Sequence, residues 1–256
     1  MRKTAIMTLA ALLTANLFAI QGTITTETDS KTGEIKWQSR SKQYIVSVKK
    51  GQTLVDMEIK LADVVSLDIP KPAKFDESVQ KVEAGQGASA IDALQKIVSE
   101  YSMLQWDKPA GRYLVQAYLA AGNAQKAYEA CQPIISADKA AAYTGDLAPA
   151  YWQALLKLGK NDQLESLLKK AAQSGSRSAS AAALVMRGDI IVAASNDQPE
   201  KLKDALRDGY LRVVLMYQDA ECTRERADAL VKAAACFDRL GQASRAENLR
   251  AQAKAL

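Results

Sequence analysis

The chain has 256 residues, 48% of them hydrophobic and 25% charged, with only 13 glycines and 6 prolines. This is the composition of a globular protein that can bury a sizeable core. It contains no histidine, which excludes Ser-His-Asp and Cys-His nucleophile activation and every His-bearing zinc site. The net charge of +5 divides into +2 over residues 1–19, +2 over 20–75 and +1 over 76–256, so the basic balance gives no argument for a nucleic-acid partner.

The chain opens on Arg2-Lys3, an apolar run over 5–13 and Leu17-Phe18-Ala19. A basic start, an apolar middle and a small residue before a cut make a signal peptide over 1–19, cleaved after Ala19. The stretch 5–20 contains Thr8, Thr14 and Asn16 and falls short of the roughly 20 apolar residues of a membrane span. With no cysteine beside the cut to carry a lipid, the mature chain is expected to be soluble and exported, periplasmic or secreted.

Residues 20–69 carry short alternating runs that read as strands over 22–28, 33–38, 43–48, 53–60 and 64–69, with a turn at Asp29-Ser30-Lys31-Thr32-Gly33. Five such strands in about 50 residues are expected to curl into a small barrel that buries one face and protects its edges. The stretch Ile59-Lys60-Leu61-Ala62-Asp63-Val64-Val65-Ser66-Leu67, a strand, a tight turn and a final strand, resembles the end of SH3-like and Sm-like barrels.

Ile69-Pro70-Lys71-Pro72 reads as extended, which places a linker at 70–74. Everything from Phe75 to Leu256 reads as helix. Within it Gly85, Gly122, Gly159 and Asn196 recur at intervals of 37 residues, and Gly241 follows after 45. Ala90, Ala127 and Ala246 stand five residues beyond three of these turns, Leu164 fills the third place and Lys201 breaks the fourth. The repeating unit is a helix, a left-handed turn residue and a second helix whose small residue permits a close crossing. Such a hairpin buries its apolar face only by stacking on neighbours, so the period predicts a helical solenoid.

Leu114, Tyr118, Gly122 and Ala127, and Phe237-Asp238-Arg239-Leu240-Gly241 through Ala246, resemble a tetratricopeptide repeat, although the period is 37 rather than 34. The expected fold is therefore mainly α with a small β domain: a five-stranded SH3-like barrel over 20–69, then a TPR-like α-solenoid of about five hairpins over 75–256. The resemblance implies a protein or peptide partner on a concave face lined by the first helix of each hairpin. Carried over residue by residue, it puts Arg112 and Gln116, Gln153 and Lys157, and Asp238 and Arg239 on that face. Ala150 stands where carboxylate-clamping members have an asparagine, so a receptor for peptide C-termini is not implied.

Asp107-Lys108-Pro109, Asp146-Leu147-Ala148-Pro149 and Asp197-Gln198-Pro199-Glu200 read as acidic N-caps ahead of a proline, the last with the acid of a capping box. Residues 200–222 sustain a helical stripe longer than a normal second helix, which absorbs the extra residues before the last turn. Cys131, Cys222 and Cys236 read as small buried hydrophobes. If a helix runs from Thr223 to Leu240, about 20 Å of helical rise separates Cys222 from Cys236.

Chemistry is sparse. Ser174-Gly175-Ser176-Arg177-Ser178 lacks the framework of a phosphate cradle, no metal-binding motif occurs, and Asp189 reads as a solvated acid beside Arg187. No catalytic residue, cofactor or metal is assigned. The leading expectation is an exported, non-catalytic interaction scaffold. An envelope enzyme with its site near Pro70 to Phe75, or a self-associating surface protein, remain alternatives, and homo-oligomerisation stays open.

Overall fold

The computed structural model describes residues 20–256, and the signal-peptide expectation for 1–19 lies outside the described residues. By internal contacts the chain divides into two units, with the division between Pro70 and Lys71. No described helix is long and apolar enough to cross a membrane.

The first unit is one antiparallel sheet of β1 (Ile20–Thr26), β2 (Ser30–Gln38), β3 (Gln43–Lys50), β4 (Thr53–Lys60) and β5 (Val64–Asp68). The strand order is β4-β3-β2-β1-β5, and a single 3-10 turn at Leu61–Asp63 joins β4 to β5. Alternation puts Ile24, Ile35, Trp37, Tyr44, Val46 and Ile59 on one buried face. Ile35 opposes Val46, and Tyr44 opposes both Trp37 and Ile59 in the ladder. The Trp37 and Tyr44 ring centroids lie 4.9 Å apart. The hydrogen-bonded ladder is open, with β4 and β5 as its edges, where the sequence reading expects a closed barrel. Asp56, Glu58 and Lys60 on β4 put charge along one of those edges.

The expected turn at 29–33 is displaced. The chain reverses over Thr26 to Asp29, where the Thr26 N–H donates to the Asp29 carbonyl at 2.8 Å, and Ser30 to Gly33 already belong to β2. Hydroxyl pairs extend the ladder, Thr23 with Thr32 at 2.8 Å and Thr25 with Ser30 at 3.0 Å. Gly33 is a close-approach glycine: a Cβ there would lie 2.3 Å from the Ser47 carbonyl oxygen.

The second unit is helical, with α1 (Phe75–Glu83), α2 (Ile91–Glu100), α3 (Asp107–Ala120), α4 (Ala124–Ala137), α5 (Leu147–Lys157) and α6 (Asn161–Gln173). It continues through α7 (Arg177–Ala193), α8 (Pro199–Ala205), α9 (Leu211–Met216), α10 (Thr223–Arg239) and α11 (Ala243–Lys254). The repeated turn residues all take positive φ: 77° at Gly85, 72° at Gly122, 67° at Gly159, 45° at Asn196 and 73° at Gly241. The four glycine turns close alike. At Gly122 its own N–H donates to Leu119 O at 3.0 Å and the Asn123 N–H to Tyr118 O at 2.9 Å, the paired bonds of a Schellman ending. Ala90, Ala127, Leu164 and Ala246 are buried at the crossings beyond. The Asn196 turn has a second left-handed residue, Asp197, and the buried place moves one residue on, from the exposed Lys201 to Leu202.

The long stripe expected over 200–222 is helical without a gap from Pro199 to Met216, as α8, a π-helical turn at Leu206–Tyr210 and α9, and is followed by a 3-10 turn at Ala220–Cys222. The close approach of two helices accompanies the π turn. A Cβ on Gly209 would meet the Gly188 Cα at 2.7 Å, and one on Gly188 would meet the Tyr210 ring at 2.5 Å.

The expected acidic caps are also corrected. Asp107 lies inside α3, buried, and accepts from the Met103 N–H at 2.8 Å and the Lys108 N–H at 2.9 Å, which holds the loop ahead of the helix. Asp146 makes no side-chain cap and is drawn to Arg224 instead. Gln198 takes the cap position of α8, with Pro199 at its first turn, because Asp197 is turned away in a left-handed conformation and pairs with Arg239. All three cysteines are buried and free, and burial pushes the Cys131 thiol up to about 12.

Candidate binding cavity

The 37-residue period stacks equivalent positions of successive helices, so residues far apart in sequence come to share one surface. Residues from α3, α5, α7, α10 and α11 line a cavity of about 730 Å³ in the helical unit. Its apolar lining includes Leu119, Pro149, Ala150, Ala182, Val185, Met186 and Val231. The small side chains of Ala150 and Ala182 are what leave the space open.

A polar network holds one wall. Asp189 on α7 accepts from Gln153 Nε2 on α5, from the Tyr210 hydroxyl at 2.8 Å and from Lys232 Nζ on α10 at 2.8 Å. Lys232 also reaches Asp228 at 3.0 Å. Burial works against the Lys232 ammonium, yet Asp189 and Asp228 outweigh it and hold its pKa above the ordinary lysine value. Burial first, then the Asp189 carboxylate, pushes the Tyr210 phenol far above its usual range. Asp189 is thus a nearly buried hub and not a solvated acid, accepting from three donors on three elements.

At the N-terminal end of α10, Arg224 is drawn to Asp146 and lies 3.5 Å from Glu225 Oε1. Arg250 on α11 is bonded to Asp238. Arg112, Gln116 and Lys254 line the cavity without an acidic partner among the described residues. Arg112 rests 5.0 Å from the centroid of the Tyr113 ring.

The six residues placed on the concave face by resemblance therefore divide. Arg112, Gln116 and Gln153 line the cavity. Lys157 is exposed and contributes nothing to the lining, and Asp238 and Arg239 are engaged in pairs with Arg250 and Asp197 outside it. Sequence reasoning sets Asp189 aside as solvated and passes over Arg224, Glu225, Asp228 and Lys232. One signal for Asp189 was available, because it follows Gln153 by 36 residues, close to one period.

Among the described residues no group of three or more Cys, Asp or Glu is placed to hold a metal ion. No family model and no curated protein matches the chain. Solved structures that it resembles include the crystal structure of a Podosopora anserina putative kinesin light chain with nearly identical TPR-like repeats, and a substituted form of that protein. Each is 17% identical with a TM-score of 0.40, over 72% of this chain and 92% of that one.

Proposed function

We propose that the helical unit is a non-catalytic protein–protein interaction scaffold that receives a segment of partner polypeptide in the cavity. One observation carries the reading: Asp146, Asp189, Arg224, Asp228, Lys232 and Arg250 on the cavity wall are paired, while Arg112 and Gln116 stand beside apolar lining with no hydrogen bond from their donors among the described residues. Spare donors beside apolar surface suit a polypeptide, which brings carbonyl or carboxylate acceptors and side chains to bury. Asp189 and Lys232, the two ionisable groups at the centre of the wall, are held by one another.

The finer architecture belongs to the same proposal. The helical unit is a TPR-like array of five hairpins over 75–256, joined through 70–74 to an SH3-like sheet over 20–69, a reading supported by the strand order and the 3-10 turn before β5. Export to the periplasm or the exterior rests on Arg2, Lys3 and the apolar run that follows.

Capture of partners from an envelope extract tests the binding role. Arg112→Glu is expected to abolish capture while moving stability by no more than about 1 kcal/mol, the scale of an exposed cation–π contact. A variant that captures every protein the parent does would remove the cavity from consideration.

A further inference from the structure

Glu225, in the first turn of α10, lines the cavity and is 6% exposed. Its Oε1 lies 3.5 Å from Arg224, an ion-pair distance too long for a good hydrogen bond, and its Oε2 has no hydrogen-bond partner among the described residues. An ionised carboxylate can only accept, so a buried oxygen without a donor is costly, and folded proteins leave few such atoms. The other acids of the cavity are satisfied: Asp146 by Arg224, Asp228 by Lys232, and Asp189 by its three donors.

The missing donor has a definable chemistry. Neighbouring carboxylates are committed elsewhere, so a cation that needs several ligands is not served. A basic side chain is served: its methylenes suit the apolar lining and its head supplies the hydrogen bonds that Oε2 lacks. Arg224, the cation nearest Glu225, is partly exposed and drawn toward Asp146.

We propose that the cavity recognises a lysine or arginine of a partner segment through Glu225, while Arg112 takes an acceptor of the same segment. This inference rests on the interaction-scaffold reading above.

The test uses the full chain and three pools of fluorescent nonapeptides that differ only at the central position: lysine or arginine, norleucine, or glutamate. The flanking positions are randomised over Ala, Leu, Ser and Asp, and binding is read by polarisation. The basic pool is expected to bind about tenfold tighter than the norleucine pool. Glu225→Gln is expected to erase that advantage, and Arg112→Glu to weaken all three pools. Equal binding of the basic and norleucine pools, with both weakened by Arg112→Glu, would overturn the role of Glu225 and leave the scaffold reading standing. No binding by any pool up to about 1 mM, the weak end of specific recognition, would overturn both. The comparison of pools is made on the unaltered protein, so a misfolded variant does not obscure the result.

Discussion

The helical unit has two cores, and they are built differently. The first, from Phe75 to Met186, is the larger and sets bulk among many alanines: Trp152, Tyr151, Leu94, Leu114, Leu147, Leu155, Leu164 and Leu168 are all buried in it. The second is mostly small, with Ala181, Ala205, Ala229, Ala233, Cys222 and Cys236 around Leu202, Tyr210 and Val213. α7 serves both, giving Ala182, Ala183 and Met186 to one and Ala181 and Val185 to the other. Large side chains hold neighbouring helices at a set distance, and there the regular period persists through Gly85, Gly122 and Gly159; Gly241 keeps the same turn in the second core. Where Gly188 and Gly209 bring two helices nearly backbone to backbone, the period slips, a π turn appears, and an asparagine replaces the turn glycine. The periodicity of the sequence is therefore a record of helix spacing.

The contrast breaks hardest at Trp152, fully buried in the first core with its indole N–H donating to the Ala142 carbonyl at 2.9 Å. Trp152→Ala is expected to cost about 3–5 kcal/mol, from lost burial, an unfilled cavity and an orphaned carbonyl. Urea unfolding of the full chain measures it. Cys131 in the first core and Cys236 in the second act as built-in reporters. Thiol labelling should rise at Cys131 before Cys236, and simultaneous exposure would show that the two cores open as one.

A matched pair of glycines tests the difference in packing. At Gly209 an added Cβ meets Gly188 backbone atoms at 2.7 and 2.8 Å, which cannot move aside, so Gly209→Ala is expected to cost about 2–3 kcal/mol. At Gly111, in the first core, the obstacle is the Ile134 Cδ1 at 2.4 Å, the end of a side chain with another rotamer available. Alanine also gains up to about 1 kcal/mol of helix propensity there, so Gly111→Ala should change stability by less than about 1 kcal/mol. Equal costs at the two positions would contradict the assignment of backbone contact to Gly209 and side-chain contact to Gly111.

How much of this was legible follows from what is local. Gly85, Gly122, Gly159, Asn196 and Gly241 announce themselves because a left-handed turn admits few residue types, and the buried residues beyond four of them, three alanines and Leu164, follow from the crossing geometry. Gly33 misleads, since the same residue type also serves where a strand passes close to another backbone, and nothing in Asp29 to Gly33 distinguishes the two uses. The acids ahead of the prolines mislead for a related reason. Each has a cap-like sequence context, and Asp107, Asp146 and Asp197 find partners elsewhere, two of them arginines that lie far along the chain. Of the cavity, Arg112, Gln116 and Gln153 were reachable by counting along repeats. Glu225 and Lys232 were not, because the 45-residue step into the last turn destroys the count that would align them with the earlier helices.

The smallest expected effect separates the turns themselves. Gly159 has φ 67° and an added Cβ there would meet nothing within 4 Å, so Gly159→Ala isolates the backbone term and should cost about 1–2 kcal/mol. Asn196 already tolerates φ 45° and is exposed, so Asn196→Gly relieves a little strain in the folded chain while giving the unfolded chain more freedom. The two terms oppose, and the net change should stay within about 0.5 kcal/mol. Both variants are read by urea midpoint at an unchanged slope. A clear gain in stability for Asn196→Gly would mean that the fourth turn is a strained copy of the others. A clear loss would mean that the asparagine side chain itself holds the shifted register that brings Leu202, in place of Lys201, to the buried crossing.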